Sequence, residues 1–380
     1  MIECRTAILL LLATGSVLWG ASLALGAKPK AARPSVPRPY LSGQQLYRDA
    51  CASCHGVDGR GAARYATGFD VATPDFTDCS FATREPDADW STIVQEGGPV
   101  RDFDRLMPAF GDELSEEEIQ RTLDYVRGFC GDMSCWPRGE LNFPRPLVTS
   151  KAYPEDEAAV STSVALEGQN AVFNQLIYET RIGARGAAEV VLPVGFNQLE
   201  QQGWTGGLGD VVLATKWALF FSHHTGSIAS AALEAVLPTG REDRGLGKGV
   251  AILEPFFAIG QALPADSFIQ GQVGAELSTD PDKASHELFW RAVVGTSFSF
   301  TRLGRPFSPM IELLGAREFE DEAEIQWDLV PQLQATLSKR QHVLAAAGVR
   351  IPVSQVSERN AYFMMYLLWD WYDGSLFEGW

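Results

Sequence analysis

The run Cys51-Ala52-Ser53-Cys54-His55 puts two thiols two residues apart with an imidazole directly after them. That spacing suits covalent haem attachment, in which each sulfur bonds one vinyl group while the histidine reaches the iron. A bare Cys-x-x-Cys would also serve as a redox dithiol or as half of a zinc site. Zinc would want a second Cys/His pair nearby, and no histidine other than His55 occurs before His223. An electron-transfer haem takes a sixth ligand, and Leu106-Met107-Pro108-Ala109-Phe110 offers a thioether in a loop ahead of a well-capped helix. Of the six methionines, Met1 is the initiator, Met133 lies in a Cys-rich turn, and Met310, Met364 and Met365 lie in strand-like text. Cys51, Cys54, His55 and Met107 are therefore the expected cofactor residues, with His55 and Met107 on the iron of one covalently attached haem c.

Three helices are expected to position them. Ser42 to His55 reads as a helix that delivers the cysteines. Asp87 to Glu96 carries Trp90, Ile93 and Val94 on one face and stops at Gly97-Gly98. Ser115 to Glu118 is a capping box, followed by Ile119, Leu123 and Val126 at helical spacing. With Gly43 and Tyr47 before the Cys-His run, Gly56, Gly59 and Gly61 after it, Met107-Pro108, Phe110-Gly111 and Tyr125-Val126, the stretch from Tyr40 to about Cys130 resembles a small class-I monohaem cytochrome c. The resemblance implies an all-α domain, the axial pair His55 and Met107, and packing of the last helix across the first.

Compartment follows from the first residues and from the thiols. Arg5 and the apolar run Ala7 to Leu25 read as a secretory signal over residues 1–27, with an uncleaved membrane anchor as the competing reading. Residues 28–39 hold four prolines and four basic residues and read as a solvated linker. Export puts Cys79, Cys130 and Cys135 in an oxidising medium, where at most one intramolecular disulfide forms among three thiols; the sequence does not choose the pair. The chain carries a net charge of −17, and residues 40–135 alone hold 8 Lys+Arg against 18 Asp+Glu. Such acidity repels nucleic acid and anionic lipid and favours a basic redox partner, or simply keeps an exported domain soluble.

Beyond the proposed cytochrome domain (40–135) and a proline-rich connector (136–158), the text changes character. Residues 159–380 alternate apolar and polar in segments of about 10–14, giving about twelve antiparallel strands between 159 and 371. Ile325, Trp327, Leu329, Pro331, Leu333, Ala335 and Leu337 share one face, opposite Gln326, Asp328, Val330, Gln332, Gln334 and Thr336. Strands of this length suit a tilted membrane crossing, and the gaps alternate between long and short, as in transmembrane barrels. The expected fold is thus two-domain, an all-α cytochrome followed by an outer-membrane antiparallel β-barrel, with a soluble β-domain as the alternative. Tyr362, Phe363, Tyr366, Trp369 and Trp371 are expected to supply part of an interfacial girdle, and the last residue, Trp380, is also aromatic. Asp210, Glu234, Glu254, Glu276 and Asp328 are expected to face the lumen and bias it toward cations, with ordinary solvated polar residues as the competing account. His223 and His224 fall in a turn on the haem side, read chiefly as solvated. Gly207 to Asp210, Lys216-Trp217 and Leu237 to Gly240 resemble the outer-membrane channel family labelled as transporters of the phenol meta-cleavage pathway. The layout also resembles the fused cytochrome–porins proposed as outer-membrane iron oxidases, from which it departs in its full-sized cytochrome domain and smaller barrel.

Two functions from different classes follow. In one, a haem domain in the periplasm exchanges electrons with redox proteins or small mediators at or through the barrel. In the other, the barrel is a passive solute channel that merely tethers an electron carrier. Substrate-converting chemistry is the weaker reading, because Met107 on the iron would close the open position it needs. About twelve strands leave at most a modest pore, too narrow for a folded haem domain.

Overall fold

The computed structural model describes residues 41–69, 72–131, 133–199, 203–300 and 305–371. The expected signal segment, the linker and Trp380 lie outside these residues.

The first part is a small helical region. It contains α1 (Gly43–Ala50), α2 (Ala52–His55), α3 (Arg64–Thr67), α4 (Cys79–Ala82), α5 (Asp87–Glu96) and α6 (Glu116–Arg127), with short 3-10 turns between and after them. The expected first helix is divided, because the backbone tightens at Cys51 and restarts as the single turn α2. α1 and α6 begin with capping boxes. The Ser42 hydroxyl accepts from Gln45 N while the Gln45 side chain accepts from Ser42 N, and Ser115 pairs with Glu118 in the same way. α6 crosses α1 so closely that a Cβ on Gly43 would lie 1.9 Å from the Arg121 carbonyl oxygen, so only glycine fits there. Tyr47, Ile119, Leu123 and Val126 fill the core between them.

The second part is a closed barrel. Its strand segments are β1 (Glu157–Ala165), β2 (Ala171–Ile182), β3 (Gly186–Leu199), β4 (Gly203–Leu208), β5 (Val211–Ser222), β6 (Ser227–Leu237) and β7 (Ile252–Leu263). They continue as β8 (Ser267–Ser278), β9 (Glu287–Thr296), β10 (Phe298–Phe300), β11 (Arg305–Glu318), β12 (Gln326–Thr336), β13 (Val343–Pro352) and β14 (Tyr362–Asp370). Two staves are interrupted. β4 and β5 both pair β3, one above the other, and β9 and β10 both pair β11. The described segments therefore make twelve staves, closed where β14 pairs β1. Every pairing is antiparallel, so no strand edge is left open.

The two faces of each stave settle what surrounds the barrel. On β12, Leu333 is 46% exposed while Gln332 and Gln334 are 7% and 5% exposed; on β8, Val273 is 49% exposed and Gln272 5%. Apolar side chains point out and polar ones point in, the inverse of a soluble β-fold and the arrangement a lipid-facing barrel requires. The facing sets expected for Ile325 to Leu337 are those observed. The alternative of a soluble β-domain is excluded on the same ground.

The connector does more than join the helical region to the barrel. Its residues 142–156 do not run over the surface; they thread the lumen. Backbone amides of Leu147, Val148, Thr149 and Ser150 donate to Gln332, Glu312, Glu312 and Gln272, at 2.8–3.1 Å. Gln270 and Arg291 donate in turn to the carbonyls of Pro144 and Val148. Toward the short-turn end, Leu141, Phe143 and Tyr153 pack against the inward-facing Ile228, Phe256, Phe268 and Phe289. Proline-rich text with no period has the look of a solvated linker, but here the strand side chains supply the hydrogen bonds that water would supply to a linker.

Candidate functional site

Around Cys51 the site is built from one helical turn. His55 N donates to Cys51 O at 2.9 Å and Cys54 N to the same oxygen at 3.1 Å, which brings the two cysteines onto neighbouring positions of α2. They are not bridged to each other. The remaining thiols sort differently: Cys79 and Cys130 form a disulfide across 51 residues, and Cys135 is exposed outside it. After the turn, the backbone folds back through Gly56, Gly59 and Gly61, all at positive φ. Tyr47, wholly buried, fixes that bend by donating its hydroxyl to Gly56 O at 2.6 Å and to His55 O at 3.2 Å.

The His55 ring stacks on Phe76 at 5.1 Å, and Phe76 in turn meets Trp90 of α5 at 5.3 Å. Burial pushes the His55 imidazole down to about 4 and the Cys51 thiol up to about 11. The imidazole is thereby held neutral at pH 7, the form that can bind iron. His55 Nδ1 is buried without a hydrogen-bond partner.

Met107 sits half-buried in the loop that leaves the far end of α5. Gly98 N donates to Met107 O at 3.0 Å, and a Cβ on Gly98 would press the Met107 Cβ at 3.1 Å, so the Gly97-Gly98 stop is also the seat of this loop. Phe110 N donates to Val94 O at 2.9 Å, closing the loop back on α5. α5 thus connects the histidine half of the site to the methionine half. The rim is apolar and open: Tyr65 is 94% exposed, Val57 is exposed, and Leu106 approaches Gly68 beside α3. Unbridged thiols, a buried neutral imidazole with a nitrogen to spare, a thioether loop seated on glycines and an apolar rim fit a haem c.

The helical region is fastened to the short-turn mouth of the barrel. Arg84 pairs with Asp156 at 2.8 Å just before β1, and Arg185 in the β2–β3 turn donates to the carbonyls of Ser134 and Cys135. The β12–β13 turn reaches furthest. Arg340 donates to Asp102 O at 3.2 Å with its guanidinium 4.6 Å over the Phe103 ring, Lys339 lies 3.5 Å from the Asp102 carboxylate, and Gln341 donates to Asp89. Phe103 N donates to Gly98 O, and Gly98 N to Met107 O. The barrel turn therefore braces the loop that holds Met107. His223 does not stand free in water as expected: burial, with Arg138 and Arg127 nearby, pushes its imidazole down to about 4.

In the lumen, a cavity of about 180 Å³ remains beside the threaded segment, lined by Glu189, Glu234, Glu254, Gln272, Arg145 and Arg291 among others. Of the expected lumen acids, Glu234 and Glu254 line it, and Glu276 lies 3.0 Å from Lys248. Asp210 instead anchors loops, accepting from Gly240 N and Lys248 N, and Asp328 is neutralised by Arg350 and Arg359. Tyr366 is not part of a girdle. It is buried in the lumen, accepts from Gln334 Nε2 and donates to Arg145 O, both at 2.7 Å. Trp371 stacks instead on the outward-pointing Tyr178, with ring centroids 5.9 Å apart.

A helical region bearing a cytochrome-type site, seated on the mouth of a closed lipid-facing barrel, is the class this chain defines. Residues 38–126 match the family described as cytochrome C oxidase, cbb3-type, subunit III, a cytochrome family and hence a haem-binding one. No curated protein matches the chain. Among solved structures, the chain is similar to an outer membrane channel from Pseudomonas putida F1, at 12% identity over 60% of this chain and all of that one, with a TM-score of 0.43. It is also similar to the NanC porin (9% identity, 56% of this chain and 99% of that one, TM-score 0.41) and the KdgM porin (8%, 57% and 99%, TM-score 0.38). The twelve-stave closure rests on the hydrogen-bond register and owes nothing to these likenesses.

Proposed function

We propose that the chain is an outer-membrane electron carrier in which one haem c, attached through Cys51 and Cys54 and ligated by His55 and Met107, exchanges electrons in the periplasm at the short-turn mouth of the barrel. The observation that carries this reading is the bracing of the Met107 loop by the β12–β13 turn, which makes the barrel part of the redox site and not a mere anchor. Bound haem supplies reversible one-electron exchange, with a potential raised by a sulfur ligand relative to two histidines.

The chain's own residues do the rest. Tyr47 and the three glycines hold the turn after His55 in one conformation. Phe76 and Trp90 wall the histidine side. The exposed edge formed by Tyr65, Val57 and Leu106 gives a periplasmic redox protein or small mediator a surface to approach. Because the threaded segment fills the short-turn half of the lumen, the reading places exchange at this outer edge and not through the pore.

The test uses membrane fractions stained for covalent haem, with absorption spectra of the purified chain. The reading expects a haem-bearing band with the heat-dependent gel shift of a barrel, and a low-spin spectrum with a methionine-sulfur band. Met107→Ala should remove that band and lower the potential, while Cys51→Ala with Cys54→Ala should abolish covalent haem. A wild-type chain without covalent haem, or one whose spectrum Met107→Ala leaves unchanged, would sink the assignment.

A further inference from the structure

A metal-bound imidazole is ordinarily held in its plane by a hydrogen bond from the ring nitrogen that does not touch the metal. His55 lacks that support. Its Nδ1 is buried and has no hydrogen-bond partner among the described residues. What the His55 ring meets instead is Phe76, stacked on it at 5.1 Å with 27° between the two planes. A flat neighbour so nearly parallel hinders rotation of the imidazole, because turning the ring drives its edge into the aromatic face. The orientation of His55 therefore depends on whatever holds Phe76.

Phe76 is held through its backbone and through its ring. Its backbone N donates to Gly59 O at 2.8 Å, which ties it to the glycine bend after His55. The ring meets Trp90 of α5 at 5.3 Å, with 58° between the planes. Trp90 is 6% exposed, its Nε1 donates to the Glu85 carboxylate, Arg127 lies 3.9 Å over its ring, and Phe81 stacks against it at 6.3 Å. Of these contacts the indole bond is the directional one. A cation or a ring above a π face tolerates sliding, whereas an N–H aimed at a carboxylate loses strength steeply with angle.

Glu85 sits in the turn between α4 and α5, also 6% exposed, and that turn is fastened from two sides. Arg127 Nη2 donates to Glu85 O at 2.7 Å, and Arg127 Nε donates to Asp87 Oδ1 at 2.8 Å. From the connector, Arg138 pairs with Asp87 at 2.7 Å, and Gly139 packs so closely that a Cβ there would lie 2.1 Å from Arg84 O. A carboxylate at this depth is costly to keep, and filling space alone would be met by an apolar side chain.

We propose that Glu85 and Trp90 are positioning residues of the haem site: the carboxylate fixes the indole, the indole fixes the Phe76 ring, and that ring sets the plane of the His55 imidazole. The inference rests on the reading that His55 binds the iron of a haem c. The plane of an axial imidazole governs how the iron orbitals split, so it is read directly in the g values of the oxidised low-spin centre.

The experiment uses the full haem-bearing chain in detergent as wild type, Glu85→Ala, Glu85→Gln, Trp90→Phe and the double variant Glu85→Ala/Trp90→Phe. Haem staining and the methionine-sulfur absorption band establish that each is loaded and ligated, and electron paramagnetic resonance of the oxidised protein gives the g values. Glu85→Ala and Trp90→Phe should shift the largest g value in the same way, and the double variant should shift it no further, because both single changes break one bond. Glu85→Gln, whose amide oxygen still accepts from the indole, should stay at the wild-type value. A loaded Glu85→Ala with the sulfur band and the wild-type g value overturns the proposal, even where its stability falls, since that is what a merely structural carboxylate would give. Additive shifts in the double variant overturn it too, as does a Glu85→Gln shift as large as that of alanine. Where Glu85→Ala yields no haem-bearing protein, Trp90→Phe decides, and an unmoved g value there overturns it. A wild type without covalent haem fails the electron-carrier reading itself, whereas a loaded wild type whose variants keep its g value fails only this inference.

Discussion

Glu312 is the residue whose loss should unseat the threaded segment. It is wholly buried on β11 and accepts from Val148 N at 3.1 Å, Thr149 N at 2.8 Å and Thr149 Oγ1 at 2.6 Å. Hydrogen bonds to a charged acceptor each contribute roughly 1.5–3 kcal/mol, and the adjoining cavity lets water recover part of that. Taking the low end for three bonds gives about 4 kcal/mol for Glu312→Ala, roughly a thousandfold in the equilibrium between seated and released segment. Glu312→Gln keeps the shape and one acceptor but turns an amide toward backbone donors, so it should fall between. Lys151, followed by Ala152, makes the segment a trypsin substrate once released, whereas the Arg145–Pro146 bond resists trypsin, and cleavage in detergent at native pH then reports the released fraction. The cleavage rate should rise in the order wild type, Glu312→Gln, Glu312→Ala, with the barrel's heat-dependent gel shift intact. An alanine variant that is folded and as resistant as wild type would refute the assignment of Glu312 as the latch.

Three further outcomes follow from the helical region and its seat. The Cys79–Cys130 disulfide closes a loop of 51 residues, so Cys79→Ala/Cys130→Ala should cost that region roughly 4 kcal/mol in a denaturant titration. A loss below about 1 kcal/mol would mean that the unbridged unfolded chain stays compact. Arg340→Ala removes a hydrogen bond and a cation–ring contact worth about 1 kcal/mol together at this half-open position, so amide exchange at Phe103 and Met107 should quicken about fivefold. Unchanged exchange would show that the loop stands without the barrel turn. His223 has its folded value pushed from 6.5 down to about 4, so its contribution to docking is complete above pH 6.5 and is lost as pH falls toward 4. Crosslinking between the β5–β6 turn and residues 127–138 should weaken over that window, and His223→Gln should flatten the dependence.

Most of the fold is legible in the sequence, for physical reasons that also mark where legibility ends. A period of two over ten or more residues fixes which side chains of β12 share a face, and the sequence alone assigns that set correctly. The capping box at Ser115 and the Gly97-Gly98 stop are local chemistry and are read directly. The division of the first helix at Cys51 is not legible, because the residues on either side are all compatible with continued helix. The strand interruptions at Gly209-Asp210 and Ser297 are missed for a similar reason, since alternation persists across them. Disulfide choice among three thiols is a matter of tertiary distance and waits for the structure. Tyr366 illustrates a subtler limit: an aromatic near a strand end suits an interface, and only the partner groups Gln334 and the Arg145 carbonyl identify it as a lumen residue.

The threaded segment joins these parts mechanically. It leaves the helical region at Leu141, fills the lumen and re-emerges at Asp156, which Arg84 holds against the mouth and whose carboxylate also accepts from Thr180 and from Arg181 N. The stopper and the covalent link between haem region and barrel are therefore one stretch of chain. Fully extended, the fifteen residues from Asn142 to Asp156 span about 50 Å, longer than the apolar band of about 25 Å, so the segment has slack enough to leave the lumen without undocking the helical region. The contacts at Asp102, Asp89 and the Ser134 and Cys135 carbonyls do not depend on it. Release of the segment would break its bonds to Glu312, Gln332 and Gln272, whereas the contacts of Arg340 and Gln341 with Asp102 and Asp89 that brace the Met107 loop are made by other residues.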